Sequence, residues 1–277
     1  MKRFSILFFV ITVIALVGCE DVIDFELAEG KPQLVVDGYV TDQTGSYAIL
    51  LSLSAPYLSK TQVPKVTGAM VTIADNEGNE EILKELEPGK YVTSTLHGKI
   101  GNHYVLTIKT EGETYRAETD IKRVPEIDSL RQIFKQKTDF TDEGYYVLYY
   151  GQEIPVRGDF YRFKVYKNRV LANKPSELVV RSDKFIEGSY IDGPEMNDEP
   201  FEVGDTVRVE TSSLTEDNYN FLHEVFIQIN NGGMFAKSPA NVRTNIINLN
   251  PNSDKKALGH FGGTAIRFKE IVIKEQK

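Results

Sequence analysis

Cysteine is nearly absent from this sequence. One residue, Cys19, stands alone in 277, so no disulfide can form within the chain and a cysteine-stapled scaffold is excluded. Tryptophan is missing. Histidine is scarce, with His97, His103, His223 and His260, none of them in an HExxH, Cys-His or i,i+4 metal spacing. There is no Gly-x-Ser-x-Gly elbow and no phosphate loop. Positive charge is in short supply: 32 Lys and Arg face 40 Asp and Glu, for a net charge of −8. Binding to nucleic acid or to anionic lipid needs clustered cations, so both are disfavoured as partners. Long apolar runs are missing beyond the first twenty residues, and none elsewhere reaches the ~20 residues that cross a bilayer. What is present is 41% apolar residues, 10% aromatic, enough to build a core.

The first residues follow a pattern of their own. Met1-Lys2-Arg3 is basic, Phe4 to Val17 is apolar, and small residues follow. This is the order of a secretory signal peptide. Leu16-Val17-Gly18-Cys19 resembles a bacterial lipobox, in which the cysteine is acylated and becomes the first mature residue. A diacylglyceryl thioether together with an acylated amino terminus anchors stably where one chain does not. The alternatives are an ordinary signal peptide with a chance cysteine, or an uncleaved anchor. Residues 1–18 are thus expected to be removed, leaving ~259 residues, room for one large or two ordinary domains. Residues 19–30 read as an acidic tether carrying Glu20, Asp21, Asp24, Glu26 and Glu29. It is either a solvated linker or a sorting signal, since acids directly after the lipidated cysteine resemble surface-export signals of Bacteroidota-type lipoproteins.

From Lys31 to Val124 short β-branched runs alternate with turns. Gln33–Val40, Tyr47–Ser54, Ala69–Ala74, His103–Thr110 and Thr114–Ile121 all read as strands, and Tyr104, Leu106 and Ile108 share a face. Pro88-Gly89 is a turn. The expectation for 31–124 is a β-sandwich, and its glycine and tyrosine placements resemble prealbumin-like and carboxypeptidase-regulatory-like modules. Pro125 marks a boundary. Residues 125–277 are expected to form a second β-rich domain with one amphipathic helix near 213–230. Ser213 and Glu216 fit its capping box, and Phe221, Leu222, Val225, Phe226 and Ile229 fit its apolar stripe. The fold class is therefore mainly β, an N-terminal prealbumin- or Ig-like sandwich followed by the helix-bearing β domain.

No constellation carries chemistry, and no catalytic or metal site is expected. Asp75 to Glu80 alternates oxygen donors as calcium prefers, but reads better as a hairpin turn. Asp192, Glu195 and Asp198 lie in a longer acidic excursion that offers calcium a weak site and is otherwise solvated. The tyrosines at 145, 146, 149 and 150 suit a sugar face, although alternation places half of them inside. Long excursions at 183–204 and 230–263 are the places for a partner surface. On the second, Asn231, Met234, Phe235, Asn241 and Asn245 are the expected contacts, with the sandwich as a stalk.

Several blocks resemble one family. Cys19-Glu20-Asp21-Val22-Ile23-Asp24, Gln33-Leu34-Val35-Val36-Asp37-Gly38 and Leu53-Ser54-Ala55-Pro56-Tyr57 look like the opening of the Bacteroidota lipoprotein family known as domain of unknown function 4249. Pro239 to Ile246 and Ala257 to Phe261 are similar to two later blocks, with His260 where the family usually has tyrosine. The resemblance implies an outer-membrane lipoprotein, facing the exterior and acting as a non-catalytic accessory of a TonB-dependent uptake receptor. A free-standing surface adhesin for glycan or protein is the alternative, and a hydrolase is the weakest reading.

Overall fold

The computed structural model describes residues 31–56, 62–232, 237–238 and 240–276, so the readings on the leader, Cys19, the tether, Met234 and Phe235 lie outside the described residues. The chain is mainly β, with several sheets and, among the described residues, a single α-helix. No helix among the described residues is long and apolar enough to cross a membrane.

Strand alternation builds the first pair of sheets. β1 (Leu34–Thr41) buries Leu34, Val36 and Val40 and turns Asp37 and Tyr39 outward. It pairs antiparallel with β2 (Ala48–Leu53), and the sheet continues through β6 (Lys90–Val92) to β5 (Lys84–Glu87). The facing sheet runs β16 (Ile247–Asn248), β8 (Glu113–Asp120), β7 (His103–Thr110), β3 (Met70–Asp75) and β4 (Glu80–Ile82). Ile49, Leu51 and Phe261 from one sheet and Ile73, Tyr104, Leu106 and Ile108 from the other meet in one core. Each large aliphatic buried in this way stabilises the fold by about 1.5–3 kcal/mol relative to exposure. The 75–80 segment is a hairpin turn: Asp75 accepts from the backbone N–H of Glu77 and Asn79, at 2.9 Å each, and from Asn79 Nδ2 at 2.8 Å.

The first sheet is completed from the far end of the chain, where an irregular excursion was expected. β17 (Ala257–Thr264) lies parallel to β1 over its whole length, Leu34 opposite Ala257 and Thr41 opposite Thr264. Its sequence, Ala-Leu-Gly-His-Phe-Gly-Gly-Thr, has little β propensity, and glycines in a strand often mark a close backbone approach. A Cβ on Gly259 would sit 1.9 Å from the Val36 carbonyl oxygen, and one on Gly263 2.4 Å from that of Asp120. Gly259 also has φ of +88°, a conformation that favours glycine. Residues 125–277 therefore do not form a separate body behind a boundary at 124. Pro32–Lys277 is one compact unit, and the sandwich of 31–124 includes β16 and β17.

A second pair of sheets follows. β9 (Ser129–Lys135), β10 (Gly144–Gln152) and β14 (Tyr190–Glu195) form a three-stranded sheet. Its partner runs β12 (Val170–Leu171), β11 (Phe160–Lys167), β15 (Thr206–Leu214) and β18 (Ile266–Val272), with β13 (Val179–Ser182) also on β11. Tyr145, Val147 and Tyr149 of β10 pack with Val207 and Val209 of β15. The helix α1 (Glu216–Ile229) starts two residues later than the capping box predicts: Thr215 is the N-cap, its Oγ1 accepting from Asn218 N at 3.2 Å. Ser213 is held in β15 instead, because the ladder with β11 runs on to Leu214. Its hydroxyl donates to the Lys122 carbonyl at 2.7 Å and accepts from Ala265 N at 2.8 Å. On the predicted stripe Leu222 is buried, Phe221, Val225 and Phe226 are half-buried, and Ile229 is exposed.

Candidate functional site

A cleft of about 610 Å³ opens between the second pair of sheets. It exists because the two layers differ in width. The 172–182 segment and β13 extend one wall, whereas the other ends at β14 and the segment that follows it. The ladder between β10 and β14 breaks between Leu148 and Tyr150. Beyond the break Asn197 acts as a substitute rung, Oδ1 accepting from Val147 N at 2.9 Å and Nδ2 donating to the Glu199 carbonyl at 2.8 Å. Phe201 then pairs with Tyr145 through both backbone groups. The chain from 196 to 201 thereby stands as a wall, and Met196 and Phe201 face Tyr149, Phe163 and Val165 across the space. At the mouth, Phe185 is 87% exposed although it lines the cleft.

One carboxylate of this lining is deeply buried. Glu153, just past the end of β10, is 1% exposed. Its Oε1 accepts from the Tyr161 hydroxyl at 2.7 Å and from Ile154 N at 2.9 Å. Among the described residues Oε2 accepts no hydrogen bond. Burial holds the Glu153 carboxyl above the usual carboxylate range; the Tyr161 and Ile154 bonds oppose this, and the charges of Asp159 and Asp183 add to it. Burial, followed by the bond to Glu153, pushes the Tyr161 hydroxyl up as well. The two neighbouring acids have their own partners. Asp183 accepts from the backbone N–H of Gly158 and Asp159 at 2.8 and 3.1 Å, and Asp159 pairs with Arg123 at 2.8 Å. Glu153 thus differs from its neighbours, which are buried too, in lining the cleft and in having an oxygen without a hydrogen-bond partner among the described residues. A rigid, mostly apolar pocket with one placed polar group is the usual form of a small-molecule site.

Of the residues expected at a partner surface, Asn231, Asn241 and Asn245 are not among the cleft-lining residues, and Asn231 and Asn245 have structural partners. Asn245 reads as a clamp: Nδ2 donates to the Phe261 carbonyl at 2.8 Å and to that of Glu118 at 3.1 Å, and Oδ1 accepts from Phe261 N at 3.0 Å. It thereby satisfies the free edge of β17. Asn231 closes a loop, exchanging 2.8 Å bonds with the backbone N–H and carbonyl of Lys237. Asn241 is exposed, beside Arg243, which pairs with Glu224 of α1 at 2.7 Å. Among the described residues no group of three or more His, Cys, Asp or Glu could hold a metal ion. Of the three acids offered to calcium, Asp192 and Asp198 are exposed, and Glu195 pairs with Lys135 at 2.5 Å. Three of the four strand tyrosines, Tyr145, Tyr146 and Tyr149, are buried.

The family whose description is "Domain of unknown function (DUF4249)" matches residues 20–270. The chain belongs to the DUF4249 family. No curated protein matches it. In this DUF4249 chain, sequence reasoning missed Glu153, Tyr161 and Asn197. Glu153 is one acid among forty, and Asn197 falls in a run that reads as solvated. The one available signal was Gln152-Glu153-Ile154-Pro155, an acid between a strand of tyrosines and an apolar pair.

Proposed function

We propose that this DUF4249 protein is a lipid-anchored outer-membrane lipoprotein, facing the cell exterior, that serves a TonB-dependent uptake receptor as a non-catalytic binding partner, with the cleft as its binding site. The cleft carries the reading. Its walls are mostly apolar, its one deeply buried acid is held by a tyrosine, and no histidine or cysteine is among its described lining residues. Such a lining suits holding a molecule. The basic start, the apolar run and Leu16-Val17-Gly18-Cys19 support the anchor. The cleft lies outside 230–263, so the contact surface is moved from that segment to the walls at 172–201. The test is extraction of the full chain in mild detergent from its own cells. Co-purification of a large outer-membrane barrel, lost when Val179→Trp narrows the cleft, supports the reading. Recovery of the lipoprotein without a barrel sinks the receptor partnership.

A further inference from the structure

The cleft also indicates the chemical class of its occupant. We infer that it takes an elongated hydrophobic molecule with a single ammonium head group, the head seated on Glu153 Oε2. This deepens the binding reading above and rests on it.

An acid that is 1% exposed and lines the cleft has both of its side-chain hydrogen bonds on one oxygen, and the other is without a partner among the described residues. The charges that act on it, Asp159 and Asp183, have its own sign. An ionised carboxylate buried without a cation is costly, and a cation brought by the ligand offsets that cost. Tyr161 and Ile154 both donate to Oε1, which fits the ionised form once the ligand is in place. The lining as a whole favours the same sign. Five carboxylates, Glu153, Glu177, Glu195, Asp198 and Glu199, face two cations, Lys167 and Arg181; Glu195 and Glu199 pair with Lys135 and Lys174 and Lys167 pairs with Asp205, which leaves three acids against one cation. Field lines focused into a cleft concentrate the opposite charge. The remaining lining suits the rest of such a molecule: Tyr149, Phe163 and Phe201 contribute aromatic side chains, and Val165, Ile191 and Met196 contribute apolar surface. The volume of about 610 Å³ lies within the usual range for a small-molecule pocket.

The experiment titrates the full chain, in a non-ionic detergent, with octylamine, octanol and octanoate, and reads binding by calorimetry at pH 7. Octylamine should bind at least about tenfold more tightly than octanol, the size expected of one charge-assisted contact. Glu153→Gln should remove that preference while leaving octanol unchanged, and it also controls for partition into micelles. The comparison of the three probes on the unaltered chain stands even if the variant fails to fold. Octanol or octanoate binding as well as octylamine overturns the ammonium class and leaves the cleft a binding site. Failure of all three to bind overturns both the class and the cleft reading.

Discussion

Glu153 and His260 are buried titratable residues whose effects on stability run in opposite directions with pH. His260 is 2% exposed; its Nε2 meets Asp217 Oδ2 at 2.9 Å, and Nδ1 has no partner among the described residues. Burial pulls its pKa below the ordinary value, and Asp217 opposes this without reversing it. The unfolded chain therefore binds the proton first, so stability is lost as pH falls through about 6.5, the ordinary histidine value. His260→Phe should flatten that slope in urea denaturation between pH 5 and 8, and an unchanged slope would contradict the assignment. Glu153 is raised, so the folded chain holds its proton longer and stability is lost as pH rises above about 4.3. Glu153→Gln should leave the chain more stable than the unaltered one at pH 8, with the difference shrinking towards pH 4. Asn245→Ala should cost about 1–3 kcal/mol, since it strips the Phe261 backbone of both partners. Asn245 was visible in the sequence as an uncharged amide in a loop. That it would spend its amide on a strand edge was not, because the edge belongs to β17, which the sequence does not show as a strand.

Elements were legible in proportion to the regularity of their alternation. β1, β7 and β8 follow from period-two burial, and β10 from its run of tyrosines. α1 follows from its stripe, although its cap does not: Ser213 and Thr215 are equally good capping residues, and only the pairing of β15 through Leu214 decides between them. β17 was illegible for a physical reason. Its glycines serve neighbours, Val36, Tyr39 and Asp120, that are distant in sequence, so local propensity points the wrong way. Gly259→Ala should therefore destabilise the chain by more than about 3 kcal/mol, combining a positive φ with a backbone clash. Melting close to the unaltered chain would mean that β17 does not lie against β1. The cleft was illegible on the same grounds: it depends on where a ladder breaks and on a long-range approach of 172–182 to 196–201.

At the scale of the molecule, the chain returns to its beginning. A fragment ending at 124 lacks β16 and β17, and so lacks an edge strand from each sheet of the sandwich. That fragment should fail to show a cooperative melt, whereas 31–277 should show one; a cooperative melt of the shorter piece would restore an independent first domain. The sandwich is thus continuous with the rest of Pro32–Lys277, and the proposed binding role rests on the cleft between the second pair of sheets. The proposed orientation turns the cleft of the anchored protein toward the receptor. It is tested most directly by photo-crosslinking in intact cells, with benzoylphenylalanine introduced at Phe185, at the mouth of the cleft, and in parallel at Ile82, on the edge strand β4 of the sandwich. An adduct with a large outer-membrane barrel is expected from Phe185 and none from Ile82. An adduct from Ile82 alone, or none from either position, would contradict it.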